Sequence, residues 1–303
     1  MASSLKNVVI VGLSQAGGNL GSHVLKAFLS SKAFNITALT RESSTSTFPD
    51  GLQVIKSDYS HDSLLSAFKG QDAVISIVGN AGLSFQQKLI DAAVDAGVKR
   101  FIPSEYGNNT ADDRVRALAP LLDGKKANVD YLKERQDRLT WTALITGPFF
   151  DAGVKNGFLG FNLQSHEATI YDEGTNTASV STLAQIGRAL VAVLRNPEVT
   201  QNQYVYVESF TTTQKQILGA LEKATGKDWK VTDVALKPVI EESTERLKGG
   251  DLTAVRVLLL AAGWARFPDG PYGDWSRVPG GSWNERLGLE KENFDEVVAS
   301  LVN

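Results

Sequence analysis

A glycine-rich turn, Gly12-Leu13-Ser14-Gln15-Ala16-Gly17-Gly18-Asn19-Leu20-Gly21, separates an apolar β-branched run (Val8 to Val11) from a segment with helical spacing (Asn19 to Ser30). A strand, a tight turn and a helix in that order bring free backbone N–H groups and the positive end of a helix dipole to one place. That arrangement suits a pyrophosphate, and glycine allows the backbone to approach it closely. Gly12, Ser14, Gly17, Gly18, Asn19, Leu20 and Gly21 are therefore candidate phosphate contacts. A G-x-x-G-x-x-G turn has its first two glycines three apart. Here Gly18 lies six after Gly12, so the turn is about three residues longer, while Gly18-x-x-Gly21 fits the second half. A glycine-rich turn with a purely structural role is the other reading.

Arg41 stands at the end of the second strand-like run, twenty residues after Gly21. An acid there accepts the ribose hydroxyls of NAD, whereas an arginine pairs with the 2′-phosphate of NADP. Ser43 adds a hydroxyl donor, and the adjacent Glu42 runs against the trend. Asp58, after the third strand, either touches the adenine edge or caps the next helix. Val78 ends the fourth strand-like run and Gly79 follows it, and both are further cofactor candidates. Phe101-Ile102-Pro103-Ser104-Glu105-Tyr106-Gly107 ends the next strand at the sheet edge where open α/β folds bind ligands. Ser104 and Tyr106 carry hydroxyls suited to a cofactor or substrate oxygen, and a plain strand-end turn is the alternative. Lys125-Lys126 opens a helical stretch just beyond. A lysine there orients a cofactor ribose or exchanges a proton with substrate, although most lysines are simply solvated.

These residues sit on a regular framework. Strand-like runs at Val8–Val11, Ile36–Thr40, Leu52–Ile55, Ala73–Val78, Arg100–Pro103 and Trp141–Thr146 alternate with helical patterns at 19–30, 63–68, 85–96 and 125–135. Continuously apolar strands alternating with helices predict a Rossmann-type parallel sheet with helices on both faces, plus a smaller C-terminal region. Residues 1–152 are expected to form the nucleotide-binding domain. Residues 153–303 are expected to be mainly substrate-binding, with about 180–208 returning to the first domain. The candidate pocket residues are Phe150, Asp151, Asn156, Phe161 and His166; the apolar ones are equally good core. Gly263 to Leu289, with Trp264, Trp275 and Trp283 among glycines and prolines, reads as irregular cover.

Composition narrows the chemistry. With no cysteine among 303 residues, thiol nucleophiles, disulfides and thiolate metal sites are excluded. His23, His61 and His166 show no metal-ligand spacing, so no metal is expected. A formal net charge of −3 supplies no basic field for nucleic acid. The amino-terminal residues lack signal-peptide features, and no apolar run is long enough to span a bilayer, so the expected location is the cytoplasm.

The runs 87–93 and 96–107 (QKLIDAA and AGVKRFIPSEYG), Lys126-Ala127-Asn128-Val129, 141–150 (WTALITGPFF) and Ala184-Gln185-Ile186-Gly187 together resemble the NmrA-like, isoflavone reductase-like atypical short-chain dehydrogenases. That family includes the phenylcoumaran benzylic ether and pinoresinol-lariciresinol reductases. The resemblance covers nearly the whole chain and has the texture of fungal members. It implies a monomeric or homodimeric NADPH reductase acting on a small aromatic or phenolic compound. In it, Lys126 matches the hallmark lysine that moves a proton beside the nicotinamide. Arg41 matches the 2′-phosphate reader, and Pro148 and Phe149 lie near the nicotinamide. The Tyr-x-x-x-Lys pair of typical short-chain dehydrogenases is absent, because Leu122 stands where the tyrosine would be. Two rivals remain: an NADP(H)-sensing regulatory protein without catalysis, and a non-redox isomerase or cyclase whose cofactor only shapes the pocket.

Overall fold

The computed structural model describes residues 5–13, 19–267 and 270–302. Its centre is a sheet of seven parallel strands in the order β3-β2-β1-β4-β5-β6-β10. The first half alternates strictly: β1 (Asn7–Val11), α1 (Asn19–Ser31), β2 (Asn35–Arg41), β3 (Gln53–Ser57), α2 (His61–Phe68), β4 (Ala73–Ser76), α3 (Gln86–Asp95) and β5 (Arg100–Ile102). Then follow α4 (Asp113–Leu118), α5 (Asp123–Lys133) and β6 (Thr140–Ile145). Because side chains alternate along a strand, β1 feeds two cores. Val8 and Ile10 pack with Leu20, Val24 and Phe28 of α1 on one face. Val9 and Val11 pack with Leu64 and Phe68 of α2 and Leu89 and Ile90 of α3 on the other.

After β6 come α6 (Phe150–Lys155), β7 (Phe161–Asn162), β8 (Glu167–Tyr171), β9 (Ala178–Val180), α7 (Leu183–Arg195), α8 (Pro197–Thr200) and β10 (Gln203–Tyr206). Helix α7 lies against α1, and β10 extends the sheet beside β6. The rest is β11 (Phe210–Thr212), α9 (Gln214–Thr225), β12 (Lys230–Val234), α10 (Leu236–Lys248), α11 (Val255–Trp264) and α12 (Phe294–Val302). Strands β12, β8 and β7 form a small sheet, and with α9, α11 and α12 they enclose a third core around Phe150, Phe161, Trp229 and Trp264. Helices α10, α11 and α12 have no counterpart in the periodicity reading. Helical spacing is nonetheless present, with Leu236, Ile240, Ser243 and Leu247 along α10 and Phe294, Val297, Val298 and Leu301 along α12.

Two local constraints join the layers. Gly147, just past β6, has φ +64°, and a Cβ there would lie 1.8 Å from the Ser179 carbonyl oxygen. The bare α-carbon lets β9 come alongside, so that Ser181 N–H reaches Pro148 O (3.1 Å) and Phe150 N–H reaches Ser181 O (2.7 Å). At the opposite end of the sheet, Arg100 is 2% exposed and pairs with no carboxylate among the described residues. Its guanidinium donates to Thr140 Oγ1 (2.9 Å), Thr142 Oγ1 (3.0 Å), Thr200 Oγ1 (3.2 Å) and Pro197 O (2.7 Å). Burial lowers its pKa to about 10, which leaves it charged at neutral pH. It thus ties β5, β6 and α8 through neutral acceptors.

Removing this arginine strips four acceptors and opens a cavity. Arg100→Ala is expected to cost about 3 kcal/mol or more in urea unfolding. NADPH affinity of the folded fraction should stay unchanged, because Arg100 begins β5 whereas the ligand edge is at its far end.

Candidate nucleotide site

In the strand order, β1 and β4 are neighbours whose connections leave toward opposite sides, which opens a crevice at their carboxyl ends. Gly12 lies at that point with φ +91°, its N–H 3.4 Å from Leu39 O. A Cβ on it would come within 2.9 Å of the Ile77 carbonyl carbon and oxygen. The turn can therefore pass over the end of β4 only as glycine. Ser14, Gly17 and Gly18 fall outside the described residues. Asn19 begins α1, and Leu20 and Gly21 are buried, with Leu20 in the first core.

From Gly12 a groove of about 580 Å³ runs across the ends of β2 and β3. Thr40, Arg41, Ser43 and Ser44 form one wall, Asp58 and Tyr59 another, and Val78, Gly79, Gly82, Phe85 and Leu89 a third. Arg41, Ser43, Asp58, Val78 and Gly79 thus line one groove. Arg41 is exposed at the end of β2. Asp58 accepts from Ser60 N–H (2.9 Å), and the Ser60 backbone and hydroxyl hold its carboxyl below the usual carboxylate range. Ser60, not Asp58, caps α2. Tyr59 and Phe85 are aromatic walls that sequence reasoning missed. Each lies beside a residue already singled out or inside a helical segment, and nothing in its spacing marks it.

The loop after β5 closes the next sector. Ser104 Oγ donates to Val78 O (2.7 Å), and Ser104 N–H donates to Gln86 Oε1 (2.7 Å). Ser104 therefore fixes a groove residue through its carbonyl, and Gln86, fully buried at the start of α3, is a second residue the sequence did not reveal. Tyr106 is buried, its hydroxyl has no partner among the described residues, and burial pushes its pKa upward. Asn108 Nδ2 reaches Leu259 O (2.8 Å) on α11, and Gly107 O receives the Gly147 N–H (2.9 Å). The loop is thereby tied to both the sheet and the C-terminal region.

Helix α5 presents two lysines in different ways. Lys126 Nζ lies 2.6 and 2.5 Å from the two Asp130 carboxylate oxygens, one turn along. Lys125 turns inward and donates to the Glu105 backbone carbonyl. Burial lowers the Lys125 pKa, opposed by the Glu105 charge.

The remaining candidates spread over the C-terminal region. Pro148 is buried and Phe149 half-buried against the first core. Phe150 is fully buried between Phe210 and Phe294. Asp151 accepts from Leu183 N–H and so helps cap α7 alongside Thr182. Asn156 and Phe161 line a cavity of about 670 Å³ with Phe158, Tyr171, Thr232 and Arg256; it shares no lining residue with the nucleotide groove. His166, at φ +53° in the turn before β8, sets its ring against Trp229. The structure does not bring these residues to one point. Among the described residues no group of three or more histidines and acids could hold a metal, and no helix is long and apolar enough to cross a membrane.

A parallel sheet with a glycine-lined crevice at its switch point, flanked by Arg41 on the next strand, defines a dinucleotide-binding Rossmann-type α/β protein. A model of the NmrA-like family matches residues 5–245, and the chain belongs to that family. It is 40% identical over 299 residues to Oxidoreductase aprR of Aspergillus flavus, covering 97% of this chain and 98% of that protein. It is 30% identical to the Isoflavone reductase homolog IRL of Zea mays, covering 89% of each. Among solved structures, AtPrR2 with NADP+ and (+)-pinoresinol shares the fold at a TM-score of 0.76 and 20% identity over 100% of both chains.

Glu105 gives this site a pH-dependent stability. It is 0% exposed, and burial raises its pKa from 4.5 to about 7 against the opposing pull of Lys125, Thr110 and Lys126. The folded state therefore holds a proton that the unfolded state releases. The associated stability is complete below pH 4.5 and is lost as pH rises through about 7, a total of about 3 kcal/mol. Urea unfolding across that window should show wild type losing about that much more than Glu105→Gln; parallel curves would contradict the buried, proton-holding state.

Proposed function

We propose that this chain is an NADPH-dependent reductase of a small aromatic or phenolic compound, such as a ketone, quinone methide or benzylic ether. The enzyme class is the one its 40% identical relative carries by name, oxidoreductase. The observation that carries the cofactor reading is the groove itself. Gly12 rests its bare α-carbon on the Ile77 peptide at the switch point, and the wall of the groove ends in Arg41 and Ser43, a cation and a hydroxyl suited to a 2′-phosphate. The AtPrR2 structure, of the same fold, contains NADP+ and an aromatic ligand.

When bound, NADPH supplies a hydride to an electrophilic carbon of the substrate. The chain's own residues then manage position and protons. Arg41, Ser43 and Asp58 hold the adenosine end, and Gly12 with the start of α1 holds the phosphates. Val78, Gly79, Ser104, Pro148 and Phe149 border the nicotinamide end. Lys126 Nζ gives a proton to the oxygen that gains charge, leaving the Asp130 carboxylate that orients it between turnovers. Asp130 is suited to that role: burial pushes its carboxyl up, but Lys126 and Lys133 outweigh this and keep it ionised. The aromatic substrate is expected beside the loop that carries Tyr106; Phe150, Asp151, Asn156, Phe161 and His166 serve a core, a helix cap, a separate cavity and a packed turn instead. The setting proposed is the cytoplasm.

The test is NADPH oxidation against a panel of aromatic ketones, quinones and benzylic ethers. Lys126→Ala is expected to lower kcat by about 10²-fold or more with NADPH affinity retained. Tight NADPH binding with no turnover of any panel member would sink the reductase reading and leave that of a sensor or non-redox enzyme. Arg41→Ser is expected to raise the NADPH Kd about ten- to a hundredfold while NADH binding barely changes. An equal effect on both cofactors would remove Arg41 from the phosphate site.

A further inference from the structure

Behind the loop that closes the site lies a set of buried polar groups with no role in the chemistry above. Glu105 is wholly enclosed. Thr110 Oγ1 donates to its Oε2, and its Oε1 has no partner among the described residues. A buried carboxylate oxygen left bare is costly in either charge state. The remedy is adjacent: Lys125 spends one donor on the backbone carbonyl of the same Glu105 and has three donors in all. It is also the nearest opposing influence on the Glu105 charge. A short swing of the ammonium from carbonyl to Oε1 exchanges a neutral acceptor for an ion pair. That swing is favoured once Glu105 ionises, because charges attract strongly in a dry interior.

The other groups around Glu105 do not compete for this role. Lys126 on α5 is engaged by Asp130. Tyr106 in the loop and Tyr204 and Tyr206 on β10 have pKa values raised by burial, so they stay neutral. Arg116 on α4 is spent on Thr110 O (2.7 Å), Asp113 and Asp123. Among the described residues Lys125 is thus the cation placed to answer a change in the charge of Glu105, while Tyr106 and Tyr204 offer it only neutral hydroxyls.

We propose that Glu105 is a positioning residue for the reductase, acting through Lys125: its protonation state selects where the Lys125 ammonium sits, and so sets the loop from Ser104 to Thr110 over the nicotinamide end of the groove. With Glu105 neutral, Lys125 braces the loop through the Glu105 carbonyl. With Glu105 ionised, Lys125 moves to the carboxylate and the brace is released. The loop contains Ser104, which holds Val78, and Asn108, which holds α11, so releasing it loosens both walls of the site. The kinetic half rests on the reductase reading; the movement of Lys125 does not.

The experiment is nuclear magnetic resonance of the full chain with lysines labelled at Cε, the Lys125 signal being the one missing in Lys125→Arg. In wild type that signal should shift with a midpoint near pH 7, where burial places Glu105, and in Glu105→Gln the shift should vanish. A Lys125 signal constant from about pH 6 to about pH 8, or one that titrates unchanged in Glu105→Gln, overturns the proposal. Where a substrate is turned over, wild-type kcat should fall up to about tenfold over that range, following the protonated fraction, while Glu105→Gln loses the inflection. Identical kcat profiles would overturn the positioning role. If Glu105→Gln does not fold, Lys125→Met substitutes. It removes the ammonium through which Glu105 acts, so the kcat inflection near pH 7 should vanish, and an inflection that persists would overturn the pairing. Failure of every panel substrate would count against the reductase reading alone, since the lysine signal is read without turnover.

Discussion

The approach of Gly12 to the peptide of Ile77 is the contact on which the site depends. Its hypothetical Cβ lies 2.9 Å from the Ile77 carbonyl, so any side chain would force β1 and β4 apart at their carboxyl ends. That is where the sheet changes direction, and a crevice exists only because backbone can lie on backbone there. Everything that contacts the groove is measured from this point. Arg41 leaves β2 one strand away on one side, and Val78 and Ser104 leave β4 and β5 on the other.

A second level of structure keeps those strand ends in register. Ser104 bridges to the Val78 carbonyl and to Gln86, and Gly107 receives N–H groups from Thr146 and Gly147. Gly147 then admits β9, whose bonds to Pro148 and Phe150 carry the chain from the sheet into the C-terminal region. The polar atoms of the crossing segments are mostly spent on one another. Many residues that look like ligand groups in isolation, Ser104 and Asp151 among them, therefore serve as braces.

The alternation of strands and helices, and the places of Gly12 and Arg41 at the ends of their strands, were legible because each depends on local chemistry. A buried parallel strand must be apolar on both faces, and a phosphate needs glycine and N–H groups at a helix start. The helical reading of 19–30 differs from the observed helix by a residue at one end. Helices α10 and α11 have no counterpart in the sequence reading, although Leu236, Ile240, Ser243 and Leu247 recur along one face of α10; they bury Leu236, Leu258 and Ala261 against partners distant in sequence. Tyr59, Phe85 and Gln86 acquire their places only through chain packing.

The sequence by itself determined the class of fold and the edge of the sheet at which the groove opens, and it placed Arg41 at that edge. These follow from residue type and short spacing. Only the tertiary structure decided which of two adjacent lysines faces inward and which faces Asp130, because a helix turns neighbours about 100° apart and packing chooses the face. It also decided that Phe150 belongs to a core while Asn156 and Phe161 line a cavity separate from the nucleotide groove. Burial is a property of what arrives from elsewhere in the chain. The charge state of Glu105 is set in the same way, by the wholly enclosed place it occupies among Thr110, Lys125 and the tyrosines of β10.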